Sequence, residues 1–269
     1  MPVVDLHTHS TASDGECTPT GLVRRAKARG LTAMALTDHD TFAGTQEALE
    51  AGEEAGIRVL RGIELGAKEH KNLHLLGYGF SPADEALTGL CAGLREGRNG
   101  RKFRIQSFLA EKGVDIDLAE VEAMAGGKNI GRPHFARVLV QHGFVQDVRE
   151  AFARYLDTEE YQRIERPKPS AKECVAALKG AGAKVSLAHP YQLGMEDSEL
   201  EALVRALKGY GLDAIECYYP KHTPAQQAFY LELARKYGLY VTGGSDFHGE
   251  TVKPGIELAR FALDISWLV

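Results

Sequence analysis

The chain has 269 residues, a formal net charge of −5, 44% hydrophobic residues and 26% charged residues. This composition is ordinary for a soluble globular protein, and the length allows one large α/β domain or two smaller ones. The acidic balance argues against a nucleic-acid scaffold held by bulk electrostatics, and no apolar stretch is long enough to span a bilayer.

The first apolar run, residues 3–6, leads straight into His7-Thr8-His9 and then Ser13-Asp14-Gly15. On a strand, two histidines one residue apart present both imidazoles on one face. Asp14, in a glycine-containing turn, can reach the same space. A helix is predicted over 19–29, with Thr18 as N-cap, Pro19 in the first turn and Gly30 as the stop. A strand follows at 33–36, then a helix from about 41 to 55 ended by Gly56. Residues 57–65 and 73–78 read as two further strands.

After Ser81-Pro82 the rhythm changes. Residues 83–165 are charged and helical in pattern without a convincing strand, which reads as an inserted helical subdomain within a domain formed by 1–82 and 166–269. Strand and helix alternation then resumes: helix 170–180, strand 185–188, helix 197–208, strand 213–217, helix 224–237 and strand 239–242. Such alternation predicts parallel β-structure with helical crossovers. Seven strands suggest an α/β fold closed into a barrel or barrel-like sheet. In parallel folds of this kind chemistry collects at the carboxyl ends of the strands.

That rule singles out a set of residues. His7 and His9 follow the first strand, Asp38 and His39 the second, and Glu64 closes the third. His74 lies within the fourth, His189 follows the fifth, and Asp246 and His248 follow the last. Each one alone reads as a core histidine, a helix cap or a solvated acid. Their recurrence at strand ends reads as a metal centre. Mixed imidazole and carboxylate donors suit Mn²⁺, Zn²⁺ or Fe²⁺ better than Ca²⁺ or Mg²⁺, and so many donors imply two or three ions.

Together, His7-Thr8-His9, Ser13-Asp14-Gly15, Thr37-Asp38-His39-Asp40, Gly62-Ile63-Glu64, His189-Pro190 and Ser245-Asp246-Phe247-His248 resemble the PHP (polymerase and histidinol phosphatase) family. The resemblance spans nearly the whole chain and is greatest to the bacterial 3′,5′-nucleotide bisphosphate phosphatases and 5′→3′ exoribonucleases. It implies a distorted seven-stranded (β/α) barrel of PHP type, with the helical insertion binding substrate. It also implies two or three divalent ions, manganese first, with zinc or iron as alternatives. By motif, His7, His9, Glu64 and Asp246 would hold one ion. Glu64 would bridge to a second ion held by His74 and His189, and Asp14, His39 and His248 would hold a third. Catalytic roles fall to His189, Asp246 and Glu64, while Asp38 and Asp40 would orient imidazoles.

A second motif is Gly131-Arg132-Pro133-His134. Proline in the first turn fixes a helix N-terminus, whose free N–H groups favour an anion, and Arg132 adds a bidentate phosphate donor. Without the resemblance the segment reads equally well as a capped surface helix. With it, Arg132 and His134 are expected to grip substrate phosphate. Lys221 and His222, just past the sixth strand, are further candidate substrate contacts. Arg98, Arg101, Lys102 and Arg104 form a basic run of the kind that is usually solvated or salt-bridged, and His70 and His142 receive no function.

The expected activity is metal-dependent hydrolysis of nucleotide phosphate monoesters, extending to 5′→3′ removal of nucleotides from short 5′-phosphorylated RNA. Histidinol-phosphate phosphatase, carbon–nitrogen hydrolase and a non-catalytic metal-stabilised binding module are the rivals. A serine-hydrolase elbow, a P-loop and a dinucleotide fingerprint are all lacking. Cys17, Cys91, Cys174 and Cys217 form no C-x-x-C pair, and no leader with a basic and then an apolar region is seen. The expectation is therefore a cytoplasmic protein with reduced thiols, a small phosphorylated nucleotide or RNA end as partner, no membrane and no stable protein partner.

Overall fold

The computed structural model describes residues 1–125, 130–162, 164 and 168–268, with the side chains of 98, 99 and 162 outside that description. The side chain of Arg98 and the 165/166 boundary expected from the sequence therefore lie outside that description. The chain divides into two compact units, Met1–Cys91 with Lys168–Val269, and Ala92–Pro167.

The first unit opens with β1 (Val3–Thr8) and α1 (Pro19–Ala28), whose N-terminus is capped by the Thr18 hydroxyl accepting from Gly21 N at 3.1 Å. Helix α1 buries Leu22, Val23 and Ala26, the apolar stripe that its spacing predicts. After β2 (Ala33–Leu36), helix α2 (Thr45–Ala55) begins four residues later than expected. Residues 41–44 form turns first, with Thr41 Oγ1 accepting from Ala43 N at 3.2 Å and Phe42 O accepting from Thr45 N at 3.1 Å, while residues 38–40 pair with β3 through Asp40 N to Glu64 O at 2.9 Å. Gly56, with φ 62°, ends α2 as expected.

β3 (Arg58–Gly66) and β4 (His74–Tyr78) follow without an intervening helix and pair antiparallel. The expectation of uniformly parallel strands is corrected here. A connection of seven residues is too short for a crossover and serves a hairpin instead. Helix α3 (Glu85–Asn99) then runs from the first unit into the second.

The second unit holds α4 (Arg101–Glu111), α5 (Leu118–Ala125), α6 (Arg132–Gln141), α7 (Val148–Ala151), a π-helical turn at Phe152–Leu156 and α8 (Glu159–Gln162). Ile105, Phe108, Leu109, Val121, Phe135 and Leu139 form its own apolar core. Among its described residues there is no strand.

Chain alternation resumes with α9 (Ala171–Gly180), whose Ser170–Glu173 capping box satisfies two end groups reciprocally. β5 (Lys184–Leu187), α10 (Asp197–Tyr210), β6 (Ala214–Tyr218), α11 (Pro224–Tyr237), β7 (Tyr240–Gly243) and β8 (Phe261–Ala262) complete the order. Eight strands form one sheet in the order β7-β6-β5-β4-β3-β2-β1-β8. The two-residue β8, antiparallel to β1, is too short to leave a sequence pattern. The segment after β7 nearly closes the barrel on β1, through Asp246 N to His7 O at 2.8 Å and His9 N to Phe247 O at 2.9 Å.

Val4, Leu6, Ala33, Ala35, Leu60, Leu76, Tyr78 and Ala188 fill the barrel. Alternation then carries Glu64 and His74 to the same face at one mouth of the barrel. His74 begins β4 rather than ending it, and only the antiparallel direction brings it to the rim where β1 and β3 finish. In β1 the register slips between Asp5 and Thr8, separating Val4 and Leu6 in the core from His7 and His9 at the mouth.

The closure leaves no room at Gly244: a Cβ there would lie 2.2 Å from His7 Cβ and 2.6 Å from His7 N. Gly244→Ala is expected to destabilise the fold by about 1–3 kcal/mol through overpacking. Gly209→Ala, on an exposed helical position with open space around it, should instead stabilise by about 0.4–1 kcal/mol. Urea midpoints of the two variants check both signs.

Candidate metal centre

Glu64, fully buried near the end of β3, is surrounded by five imidazoles. Its Oε2 lies 3.2 Å from His7 Nε2, 3.1 Å from His9 Nε2 and 3.1 Å from His39 Nδ1. Its Oε1 lies 2.8 Å from His74 Nδ1 and 3.0 Å from His189 Nε2. A carboxylate of two oxygens cannot satisfy five ring nitrogens with ordinary hydrogen bonds, so positive charge belongs between them.

Three donor groups share this space. His7, His9, Glu64 and Asp246 form one, His9, Asp14, His39 and His248 a second, and His39, Glu64 and His74 a third. Within each group the donor atoms lie within 4.8 Å of one another. His189 Nε2 adjoins the third group, 3.3 Å from His74 Nδ1. All nine residues expected as ligands are thus brought to one mouth of the barrel.

The donor chemistry fits divalent metal ions. His7 Nε2, both ring nitrogens of His9, Glu64 Oε2 and His189 Nδ1 are buried without a hydrogen-bond partner. Groups left so cost on the order of 1–3 kcal/mol each unless something fills the space between them. Imidazole nitrogens mixed with carboxylate oxygens are what first-row divalent ions take.

The scaffold aims these donors at a cost in backbone conformation. His189 (φ 26°) and Asp246 (φ 56°) adopt left-handed backbone that side chains rarely tolerate. Glu216, buried on β6, holds both ends of this arrangement. Its Oε1 lies 3.2 Å from His7 Nδ1, and its Oε2 accepts from His189 N at 2.7 Å. With Nδ1–H donating to Glu216, His7 is left with Nε2 facing the cluster. Asp5 secures the loop that carries Asp246, accepting from Ser245 Oγ at 2.6 Å, Ser245 N at 2.9 Å and Ala259 N at 2.8 Å. Burial nevertheless raises the Asp5 carboxyl to about 6.

Asp38 corrects an expectation. Rather than orienting an imidazole, it accepts from Ser10 N at 2.8 Å, Ser10 Oγ at 2.7 Å and Ser13 Oγ at 2.6 Å. It thereby folds the turn that presents Asp14.

Electrostatics within the cluster run strongly. Burial opposes charge on His7, yet Glu64, Glu216 and Asp246 outweigh it and hold His7 well above its usual range. Burial is likewise outweighed at His9, which Asp246 and Glu64 push up to about 9. At His39 burial prevails and lowers the imidazole to about 3, and it also lowers His74. Glu64 and Asp246 stay well below the usual carboxylate range, because nearby imidazoles overcome the penalty of burial.

The other expected residues are not members of these donor groups. Arg132 and His134 belong to the second unit. There Arg132 Nη1 donates to Asp157 Oδ1 at 3.0 Å and to Leu156 O at 3.2 Å, while His134 Nδ1 accepts from Gly131 N at 2.9 Å and caps its own helix. Lys221 is exposed. His222 donates from Nδ1 to Cys217 O at 2.9 Å and packs among Tyr191, Tyr219 and Tyr230. Lys102 pairs with Glu122, and Arg104 bonds to Gly97 O. Arg101 reaches Tyr161 Oη at 3.2 Å.

Sequence reasoning missed Glu216, and it missed Tyr219 and Lys253, which both contact Asp246 Oδ2. The signal for Glu216 was present: an acid inside the apolar run Ala214-Ile215-Glu216-Cys217 must have partners to be buried. Lys253 lies in an irregular loop and has no such pattern.

A family model described as the PHP domain matches residues 5–165. A 5′-3′ exoribonuclease of Haemophilus influenzae is 34% identical over 245 residues, covering 91% of this chain and 89% of the relative. A 3′,5′-nucleoside bisphosphate phosphatase of Chromobacterium violaceum is 34% identical over 257 residues, covering 92% and 88%. Among solved structures, a sulfate-bound, metal-free amidohydrolase of Chromobacterium violaceum superposes with a TM-score of 0.76 at 33% identity, covering 94% of this chain and 90% of that one. A proposed metal-dependent phosphoesterase of Bifidobacterium adolescentis gives 0.74 at 35%, covering 96% and 92%.

The shifts set a pH signature for chelated protein. His7 and His9 are raised, so their stabilisation is complete below the ordinary imidazole value of 6.5 and is lost as pH rises, for His9 through about 9. Glu64 and Asp246 are lowered, so theirs is present above the ordinary values of 4.5 and 3.8 and lost in acid. His39 and His74 are lowered, so they oppose the fold as pH drops below 6.5, and thermal midpoints in chelator should peak near that value and fall toward pH 9. Saturating Mn²⁺ should raise the midpoint most at the alkaline end, where imidazole nitrogens are unprotonated.

Proposed function

We propose, because this chain belongs to the PHP domain family, that it is a metal-dependent phosphoesterase hydrolysing phosphate esters of nucleotides. The observation that carries this reading is the Glu64 carboxylate with five imidazoles around it, extended by Asp14, His248 and Asp246. Two or three divalent ions would sit there, manganese first, with zinc or iron as alternatives. Bound, they supply Lewis-acid stabilisation of phosphoryl oxygens and a hydroxide nucleophile near neutral pH.

The chain's own residues divide the work. His7, His9, Glu64 and Asp246 would hold one ion, Glu64 with His74 and His189 another, and Asp14, His39 and His248 a third. Glu64 turns Oε2 toward His7 and His9 and Oε1 toward His74 and His189, so it could serve both of the first two positions. We assign catalysis to Glu64, Asp246 and His189, with Glu216 fixing the His7 tautomer and the His189 backbone.

Residues 92–167 are the inserted substrate-binding unit in this reading. Arg132 and His134 take a substrate phosphate, while Lys221 and His222 are contacts offered by the barrel. The pairing of Arg132 with Asp157 does not oppose this, because Asp157 is largely exposed and such pairs are worth little. A dianionic phosphate can displace it. The relatives named for a bisphosphate phosphatase and an exoribonuclease support a substrate carrying a nucleotide phosphate, either a 3′,5′-nucleotide bisphosphate or the end of a short 5′-phosphorylated RNA.

Purified protein with Mn²⁺ should release inorganic phosphate from 3′-phosphoadenosine 5′-phosphate, or mononucleotides from 5′-phosphorylated RNA, in preference to histidinol phosphate. A preference for histidinol phosphate overturns the reading, and metal retention with no turnover points to a non-catalytic module. Arg132→Ala should lower kcat/KM on the bisphosphate about 10- to 100-fold, the worth of a hydrogen bond to a charged group.

A further inference from the structure

Asp246 presents its two oxygens to different surroundings. Oδ1 faces the imidazoles, 3.4 Å from His9 Nε2, 3.7 Å from His7 Nε2 and 3.3 Å from His248 Nδ1. Oδ2 faces away from the donor group and receives three donors. Lys253 Nζ forms a close ion pair with it, Tyr219 Oη donates at 3.3 Å, and Gln192 Nε2 donates at 3.4 Å. Gln192 Nε2 also lies 3.4 Å from Tyr219 Oη, and the Lys253 ammonium sits 5.8 Å from the centre of the Tyr219 ring. The three side chains come from separate segments: the turn after His189, the end of β6, and the loop beyond β7.

We infer that Lys253 is a positioning residue for the metal centre. With Tyr219 and Gln192 it occupies Asp246 Oδ2, so that Asp246 offers a single oxygen, Oδ1, to the ion shared with His7, His9 and Glu64. Asp246 needs such support. Its backbone is left-handed at φ 56° and it lies in the loop beyond β7. An unrestrained carboxylate rotates and can chelate through both oxygens. One held by an ammonium ion and two neutral donors cannot, because rotation would break a charge-assisted contact. The ammonium dominates the set, since the neutral donors lie at the long end of hydrogen-bond range. The inference rests on the reading of the cluster as a metal centre, and it adds a residue outside every sequence motif.

The test measures metal affinity directly, without turnover. Chelated protein is titrated with Mn²⁺ against a metal-sensitive chelating dye, for wild type, Lys253→Met, Lys253→Arg and Tyr219→Phe. Loss of a side chain that orients a ligand typically costs 10- to 100-fold in affinity. Lys253→Met should therefore raise the dissociation constant of one Mn²⁺ per chain by about 10-fold or more, leaving the remaining sites within about 2-fold. Lys253→Arg should restore most of it, and Tyr219→Phe should move the same site by less. Unchanged or tighter Mn²⁺ binding by Lys253→Met overturns the inference, the latter by showing that the ammonium competes with the ion. A uniform loss across all sites, not rescued by arginine, also overturns it. Wild type that binds no Mn²⁺ would instead overturn the metal-centre reading itself.

Discussion

The structure depends on a carboxylate enclosed by imidazoles. Glu64 is fully buried, and five ring nitrogens lie within 3.2 Å of its oxygens. Desolvating an anion so completely is unfavourable unless compensating positive charge is close. In metal-free protein the surrounding carboxylates raise His7 and His9, and protons held there supply part of that charge. Divalent ions would supply more of it and satisfy the nitrogens that protons leave unpartnered.

The barrel exists around this requirement. Glu64 and His74 face the mouth because alternation carries them there from Leu60, Leu76 and Tyr78 in the core. The remaining donors need departures from regular structure: a register slip in β1 for His7 and His9, and left-handed backbone at His189 and Asp246. Such strain persists where the surroundings over-determine it. Asp5 and Glu216 do so by tying β1 to the loop after β7 and to the segment after β5. Gly244 permits the closest approach of these pieces, against His7.

Much of this was legible beforehand. Thr18, Pro19 and Gly56 marked helix ends correctly, because capping depends on neighbours in sequence. The ligand residue types stood out because imidazoles and carboxylates recurred at the ends of apolar runs. What escaped was whatever depended on distant segments. The pairing of Asp40 N with Glu64 O and the role of Asp38 both depend on segments that only folding brings near. The short β8 and the direction of β4 were equally hidden.

The sequence by itself determined the donor set, the alternation of strands and helices, and the family to which they belong, because local periodicity and residue chemistry are written along the chain. Only the tertiary structure decided how the donors are shared. It made Glu64 the common centre, brought His74 to the mouth by running β4 backwards, and set Glu216 behind His7 and Lys253 behind Asp246. The physical reason is range. A cap or an alternating strand is settled within a few residues, whereas the partner of a buried charge is settled by strand order and direction, which bring together residues as far apart in sequence as 7 and 216.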